Sequence, residues 1–132
     1  MELTEAQCRS RFAAASVARV RTDQGSRTAI PVDFVLLGSV VAAVGDRGPM
    51  GLHGVHHVEF LVDRGDSVPG WWVRARGVGR VTEDGPEREP YLRQLAAKYP
   101  DLVGPRLGPL ILAEIAGWTG WVDGSGPGVN PG

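Results

Sequence analysis

The sequence predicts a mainly β fold, a closed six-stranded antiparallel barrel with two flanking helices. Three observations carry that reading. Short runs of alternating apolar and polar residues recur along the 132 residues, mostly joined by hairpin-length connections rich in Gly, Asp and Ser. Only two segments replace that alternation with helical spacing. The length suits one domain and is short for two. A two-sheet sandwich is the alternative arrangement of the same strands.

The elements follow in chain order. Thr4 with Gln7 three positions later forms a capping box, opening a helix from about Glu5 to Ala14 with Leu3, Cys8, Phe12 and Ala15 near one face. Ser16 to Thr22 alternates, with Val17, Arg19 and Arg21 opposed to Ala18 and Val20, as a half-buried strand does. Asp23-Gln24-Gly25-Ser26 is a hairpin turn. The second strand runs from about Arg27 to Val35, and Pro31 within it predicts an edge or a bulge. Leu36 to Ser39 turns the chain into a third strand, Val40 to Val44. Glycine then falls at every third position, Gly45, Gly48, Gly51 and Gly54; with Pro49 this excludes a stable helix and predicts a loop.

A fourth strand spans Val58 to Asp63, and a polar turn, Arg64 to Ser67, follows it. The fifth, Trp71 to Val81, carries Gly77 and Gly79, which predict a bulge or bend of the kind barrels use at corners. Glu87 to Tyr99 is an amphipathic helix with Tyr91, Leu92, Leu95, Ala96 and Tyr99 as its apolar stripe, stopped by Pro100. The last strand runs from Leu110 to Ile115 and leads to Trp118-Thr119-Gly120-Trp121. Residues 1–123 therefore form the domain, and Gly124 to Gly132 reads as a flexible Gly/Pro tail.

Composition narrows the partners. A net charge of −1 offers no electrostatic case for nucleic acid or an anionic membrane. No apolar run approaches the ~20 residues that span a bilayer, and the N-terminus lacks the pattern of a signal peptide. The lone cysteine, Cys8, excludes an internal disulfide and fits a cytoplasmic location. On a helix without an activating neighbour it reads as a packed thiol.

Several short motifs, in this order, carry a family resemblance. They are Arg11 to Ala15, Val17-Ala18-Arg19-Val20, Pro31-Val32-Asp33-Phe34, Leu61-Val62-Asp63, Trp71 to Ala75 with Gly77, Leu95 to Pro100, Gly108 to Ile111, and Trp118 to Trp121. Through them the chain resembles the pyridoxamine 5'-phosphate oxidase-like FMN-binding split barrels, and looks most like their short subfamily that uses the deazaflavin coenzyme F420. The resemblance implies a split-barrel homodimer that holds F420 or FMN in a cleft between subunits and transfers hydride to a small organic substrate. It also implies cofactor contacts at Thr28, Pro31, Asp46, Arg47, Arg74, Trp118 and Trp121. The chain departs from the pattern where relatives carry a basic Lys-Pro-Lys-like segment after the third strand. Gly45 to His57 stands there, with Arg47 as its sole permanent cation. A glycine-rich nest of backbone amides around Arg47 could supply a weaker anion site. Relatives also carry a His before the Pro-Val of the second strand, where Thr28 stands near.

All three histidines, His53, His56 and His57, fall within five residues, with Glu59 and Asp46 the nearest carboxylates. Imidazole titrates near neutrality, so the three are candidate catalytic acids or bases. His-x-x-His-His lacks the helical i,i+4 spacing of a metal site, and no metal is assigned; an ordinary loop cluster is the plain reading. Trp71 and Trp72 should face opposite sides of their strand, as core and interface or as ligand stackers. Arg74 and Arg76 share a strand face and could clamp an anion, or meet carboxylates such as Asp33 and Glu83. Three functions follow: a deazaflavin- or flavin-binding oxidoreductase; a cofactor-independent descendant that cyclises or isomerises an organic substrate by His acid/base chemistry; or a non-catalytic ligand-binding protein, haem capture included.

Overall fold

A computed structural model of the chain describes residues 1–22, 29–44, 55–64, 70–101 and 109–123. Helix α1, Glu5–Ala14, starts on the predicted capping box: the Gln7 amide donates to Thr4 Oγ1 at 3.2 Å, and the Thr4 amide donates to Gln7 Oε1 at 2.8 Å. The strands are β1 (Ala18–Thr22), β2 (Ile30–Leu37), β3 (Val40–Val44), β4 (Val55–Asp63), β5 (Trp71–Thr82) and β6 (Leu110–Val122). Helix α2, Glu89–Lys98, follows a short 3-10 turn, Pro86–Arg88, which takes up the first residues of the predicted longer helix. No helix is long and apolar enough to cross a membrane among the described residues.

The strands pair antiparallel in the order β1-β2-β3-β6-β5-β4, and β4 returns to β1, closing a barrel. Closure excludes the sandwich. Alternation along each strand sends one set of side chains inward: Val20, Phe34, Val41, Phe60, Val62, Val73 and Ile111 are all buried there. Phe12 of α1 inserts among them, its ring 4.7 Å from Phe34, 6.4 Å from Phe60 and 5.2 Å from Trp118. A second cluster lies outside the barrel, where Leu95 of α2 covers Val35, Ala42, Leu110 and Leu112. Tyr91, Leu92 and Tyr99 join it as predicted, whereas Ala96 faces solvent.

Several boundaries differ from expectation for identifiable reasons. Gly38, at φ 64°, and Ser39 suffice for the turn, so Leu36 and Leu37 remain in β2 and pair with Val41 and Val40. Pro31 sits in register opposite Arg19, but β3 pairs only from Asp33 onward, so at Pro31 the strand has one neighbour and its missing N–H costs no ladder bond on the other side. Strand β4 begins at Val55 rather than Val58, because Val55, His56 and His57 pair with Arg80, Gly79 and Val78 of the longer β5.

The last strand continues unbroken through the tryptophans by way of a β-bulge. Arg76 pairs with Gly117 and Gly77 with Ile115, leaving Ala116 as the extra residue. That extra residue changes which positions face inward, from Ile111, Ala113 and Ile115 to Trp118, Gly120 and Val122. Gly77 permits the close approach. A Cβ there would overlap the Glu114 carbonyl oxygen and come within 2.8 Å of its carbon.

Candidate functional site

The outer surface of β1, β4 and β5 collects the polar half of each alternating strand. Register sets Arg21, Glu59, Arg76 and Gly117 in one row across β1, β4, β5 and β6. Glu59 sits between two arginines, with Oε1 3.4 Å from Arg74 Nε and Oε2 3.3 Å from Arg76 Nε. Two residues along the same strand face, His57 pairs with Val78, and both are exposed. Beside this row opens a cleft of about 590 Å³ whose lining includes the polar Arg21, His57, Glu59 and Arg76 and the apolar Val78, Ala116 and Gly117. The bulge makes the hollow: it brings two of the smallest residues to the surface, and a Cβ on Gly117 would meet nothing within 4 Å. The volume lies within the range typical of small-molecule sites. Arg21 has no hydrogen-bond or ion-pair partner among the described residues.

A second outer hollow, also about 590 Å³, is walled by Leu61, Trp71, Trp72, Arg74 and Trp121. Trp72 and Trp121 are register partners, and the Arg74 guanidinium carbon lies 5.3 Å from the Trp72 ring centroid. Trp121 is 49% exposed, a large apolar surface to leave in water.

The structure separates residues that the sequence groups. His56 and His57 occupy successive positions of β4 instead of a glycine loop, so His56 points inward and is buried while His57 points out into the cleft. The two cannot act on one substrate atom. His53, Asp46, Arg47 and Thr28 lie outside the described residues. Pro31 is exposed on β2. Trp118 and Trp121 likewise diverge, being an odd number of positions apart beyond the bulge. Trp118 packs inward against Phe12, with the Arg9 guanidinium carbon 5.7 Å from its ring, and Trp121 points outward. Trp71 packs against the core while also lining the second hollow, and Trp72 lies on the outer face.

Arg74 and Arg76 do share a face, but they close on Glu59 of the adjacent strand rather than on Asp33 or Glu83. Among the described residues no three His, Cys, Asp or Glu side chains gather closely enough to hold a metal ion. Cys8 is a packed thiol: burial, then the nearby carboxylates of Glu2 and Glu5, push its pKa upward, away from a reactive thiolate. The cleft residue that sequence reasoning missed is Arg21. Its signal was present in the alternation of Arg19 and Arg21, but only closure of β1 onto β4 brings it to Glu59 and His57.

The chain matches no protein family model and no curated protein. Solved structures do resemble it. The FAD binding protein from Mycobacterium smegmatis superimposes with a TM-score of 0.66 at 19% identity, over 93% of this chain and 99% of that one. A Corynebacterium glutamicum protein provisionally assigned as a pyridoxamine 5'-phosphate oxidase gives 0.68 at 19% identity, over 91% and 94%. A conserved protein of unknown function from Corynebacterium diphtheriae gives 0.67 at 24% identity, with the same coverage of both chains. At such identities the likeness concerns the fold, and the strand order, the closed barrel and the two helices agree with it: this chain has the split-barrel fold that its sequence motifs resemble.

Proposed function

We propose that the protein binds a flavin or the deazaflavin coenzyme F420 in the cleft beside the β6 bulge and serves as a small oxidoreductase for an organic substrate. The observation that carries this reading is the cleft itself, a concave surface with Gly77 and Gly117 in its lining, beside an arginine that has no partner among the described residues, on a fold shared with an FAD binding protein. The donor set fits such a ligand in kind. Val78, Ala116 and Gly117 offer apolar surface for a ring, while Arg21 offers a guanidinium group for a phosphate or carboxylate; Arg76 lines the same cleft but is paired with Glu59. The bound cofactor would supply hydride transfer. The protein's part is to hold the ring against the bulge, to neutralise the anionic tail through Arg21, and to present the His57 imidazole in the cleft as a proton carrier.

The same reading has two copies of the chain sharing the site. Trp72 and Trp121 form the exposed apolar patch that a second copy would cover, close to the cleft along β5. Cofactor titration, followed by the fluorescence of the four tryptophans, tests the proposal with FAD, FMN and F420 in turn. Saturable binding is expected, together with about tenfold weaker binding in Arg21→Ala, as for loss of one charge-assisted contact. Absence of any spectral or calorimetric response to all three cofactors would sink it. Sedimentation should show a dimer that Trp121→Glu disperses.

One observation favours a second reading. Glu59 occupies Arg74 and Arg76, which leaves Arg21 as the cleft's one unpaired permanent cation among the described residues, a slender anchor for a doubly charged phosphate. A cofactor-independent protein would place a small organic anion against Arg21 and use His57 as acid or base for isomerisation or cyclisation. It would fail to bind all three cofactors yet lose activity in His57→Ala.

A further inference from the structure

Away from the cleft stands the chain's single lysine, Lys98, the last residue of α2. Its ammonium lies 3.8 Å from the centroid of the Phe34 ring and donates to the Ala13 carbonyl at 3.3 Å. The neighbouring residue pins the same spot. Tyr99 Oη accepts from the Phe34 amide at 3.0 Å and lies within donating distance of the carbonyls of Ser16, at 2.8 Å, and Phe34, at 3.0 Å. The lysine is thus held between the last turn of α1, the β2 strand and its own helix, with its Nζ at a fixed place. Beside it opens a hollow of about 300 Å³, lined by Ala13, Val35, Leu36, Gln94 and Ala97. Lys98 is the only nucleophilic side chain among these lining residues.

We propose that Lys98 is an acylation site, whose ε-amine takes a small acyl group from an activated donor of the acyl phosphate class, with the acyl chain received in the adjoining hollow. In the transfer, the unprotonated Nζ attacks the acyl carbon and an N–C bond forms. The C–O bond to phosphate breaks, inorganic phosphate leaves, and the proton lost from nitrogen passes to solvent; nothing is oxidised or reduced. The product amide is neutral. It ends the cation–π contact with Phe34 and weakens the tie between α2 and the end of α1.

Burial lowers the pKa of this amine to about 8, and the Asp33 carboxylate on β2 opposes the shift. Tyr99, itself pushed upward by burial, is a further titratable group at this place. At pH 7.5 a pKa of about 8 leaves about a quarter of the amine unprotonated, against about one part in a thousand for an ordinary lysine. Lower basicity and partial burial each return some of that advantage, so the expected gain in rate is tenfold or somewhat more.

The experiment treats the full chain with acetyl phosphate in the presence of Nα-acetyl-lysine as an internal standard, and follows both products by mass spectrometry from pH 6.5 to 10.5. Two amines exist in the chain, Lys98 and the N-terminus, and the latter donates to the Val122 carbonyl at 2.8 Å. The expected result is acetylation mapped to Lys98, at least about tenfold faster than the standard at pH 7.5, with a rate midpoint near pH 8. Lys98→Arg should retain only N-terminal acetylation. A Lys98 rate equal to that of the standard, or a midpoint near that of free lysine, overturns the proposal, and both readouts come from the unmodified chain.

Discussion

Replacing Gly77 by alanine should break the structure at the point that shapes the cleft. The added Cβ would overlap the carbonyl oxygen of Glu114 and lie 2.8 Å from that carbonyl carbon and 2.9 Å from the Ile115 Cα. All three obstacles are backbone atoms, so no side-chain rotation relieves them. The only relief is separation of β5 from β6 beside the bulge. Inserting a methylene into a well-packed interior costs about 1–3 kcal/mol, and an immovable obstacle puts this site at the upper end, about 3 kcal/mol. For a chain of this length that corresponds to a fall in Tm of about 10 °C.

Gly79→Ala is the control, two residues along the same strand face. There the atoms nearest the Cβ would be the side-chain methyls of Ala113, Ile111 and Val58, each at 3.3 Å, and the cost should stay at about 1 kcal/mol. Urea unfolding of the three chains gives the comparison directly. Gly77→Ala and Gly79→Ala falling together, or Gly77→Ala within 1 kcal/mol of the parent, would refute the account of the bulge.

Three further substitutions probe the core and α2. Phe12→Ala removes the ring that meets Phe34, Phe60 and Trp118 inside the barrel and should cost about 3–5 kcal/mol in urea unfolding. Tyr99→Phe leaves the Phe34 amide without its acceptor and should cost about 1–2 kcal/mol, read as faster hydrogen exchange at that amide. The folded pKa of Lys98, about 8, lies below its unfolded value of 10.5, so the unfolded chain binds more protons between the two and stability should rise with pH across that interval. The full shift would amount to about 3 kcal/mol, and the half-exposed position reduces this to about 1 kcal/mol. Above pH ~10 the raised pKa of Tyr99 acts in the opposite sense. The raised pKa of Cys8 also lowers stability as pH rises through this interval, so the test is a difference. The change in unfolding free energy from pH 7 to pH 9.5 should be more favourable in the parent chain than in Lys98→Met by about 1 kcal/mol, and equal changes in the two chains would contradict the burial of the amine.

Much of the barrel was legible locally. Thr4 and Gln7 announced α1, the alternation around Val20 and Val73 announced β1 and β5, and Gly77 marked the bulge, because each signal depends on residues a few positions apart. The site was far less legible. His56 and His57 looked like one cluster, yet a strand starting three residues earlier put them on opposite faces, and that start is set by pairing with Val78 and Gly79, which lie some twenty residues downstream. Trp118 and Trp121 looked like a pair lining one pocket, yet the strand pleat points them in opposite directions.

By itself, the sequence determined the element types, their order, and which half of each strand is apolar, since turn chemistry and two-residue periodicity are written in consecutive residues. Only the tertiary structure decided which polar residues meet. Arg21 comes to lie opposite Glu59 in register, in one cleft with His57, because the barrel closes β1 onto β4, and Lys98 meets Phe34 and Ala13 because α2 folds back over β2. Such contacts depend on register and closure across long stretches of chain, where a shift of one residue exchanges the two faces of a strand.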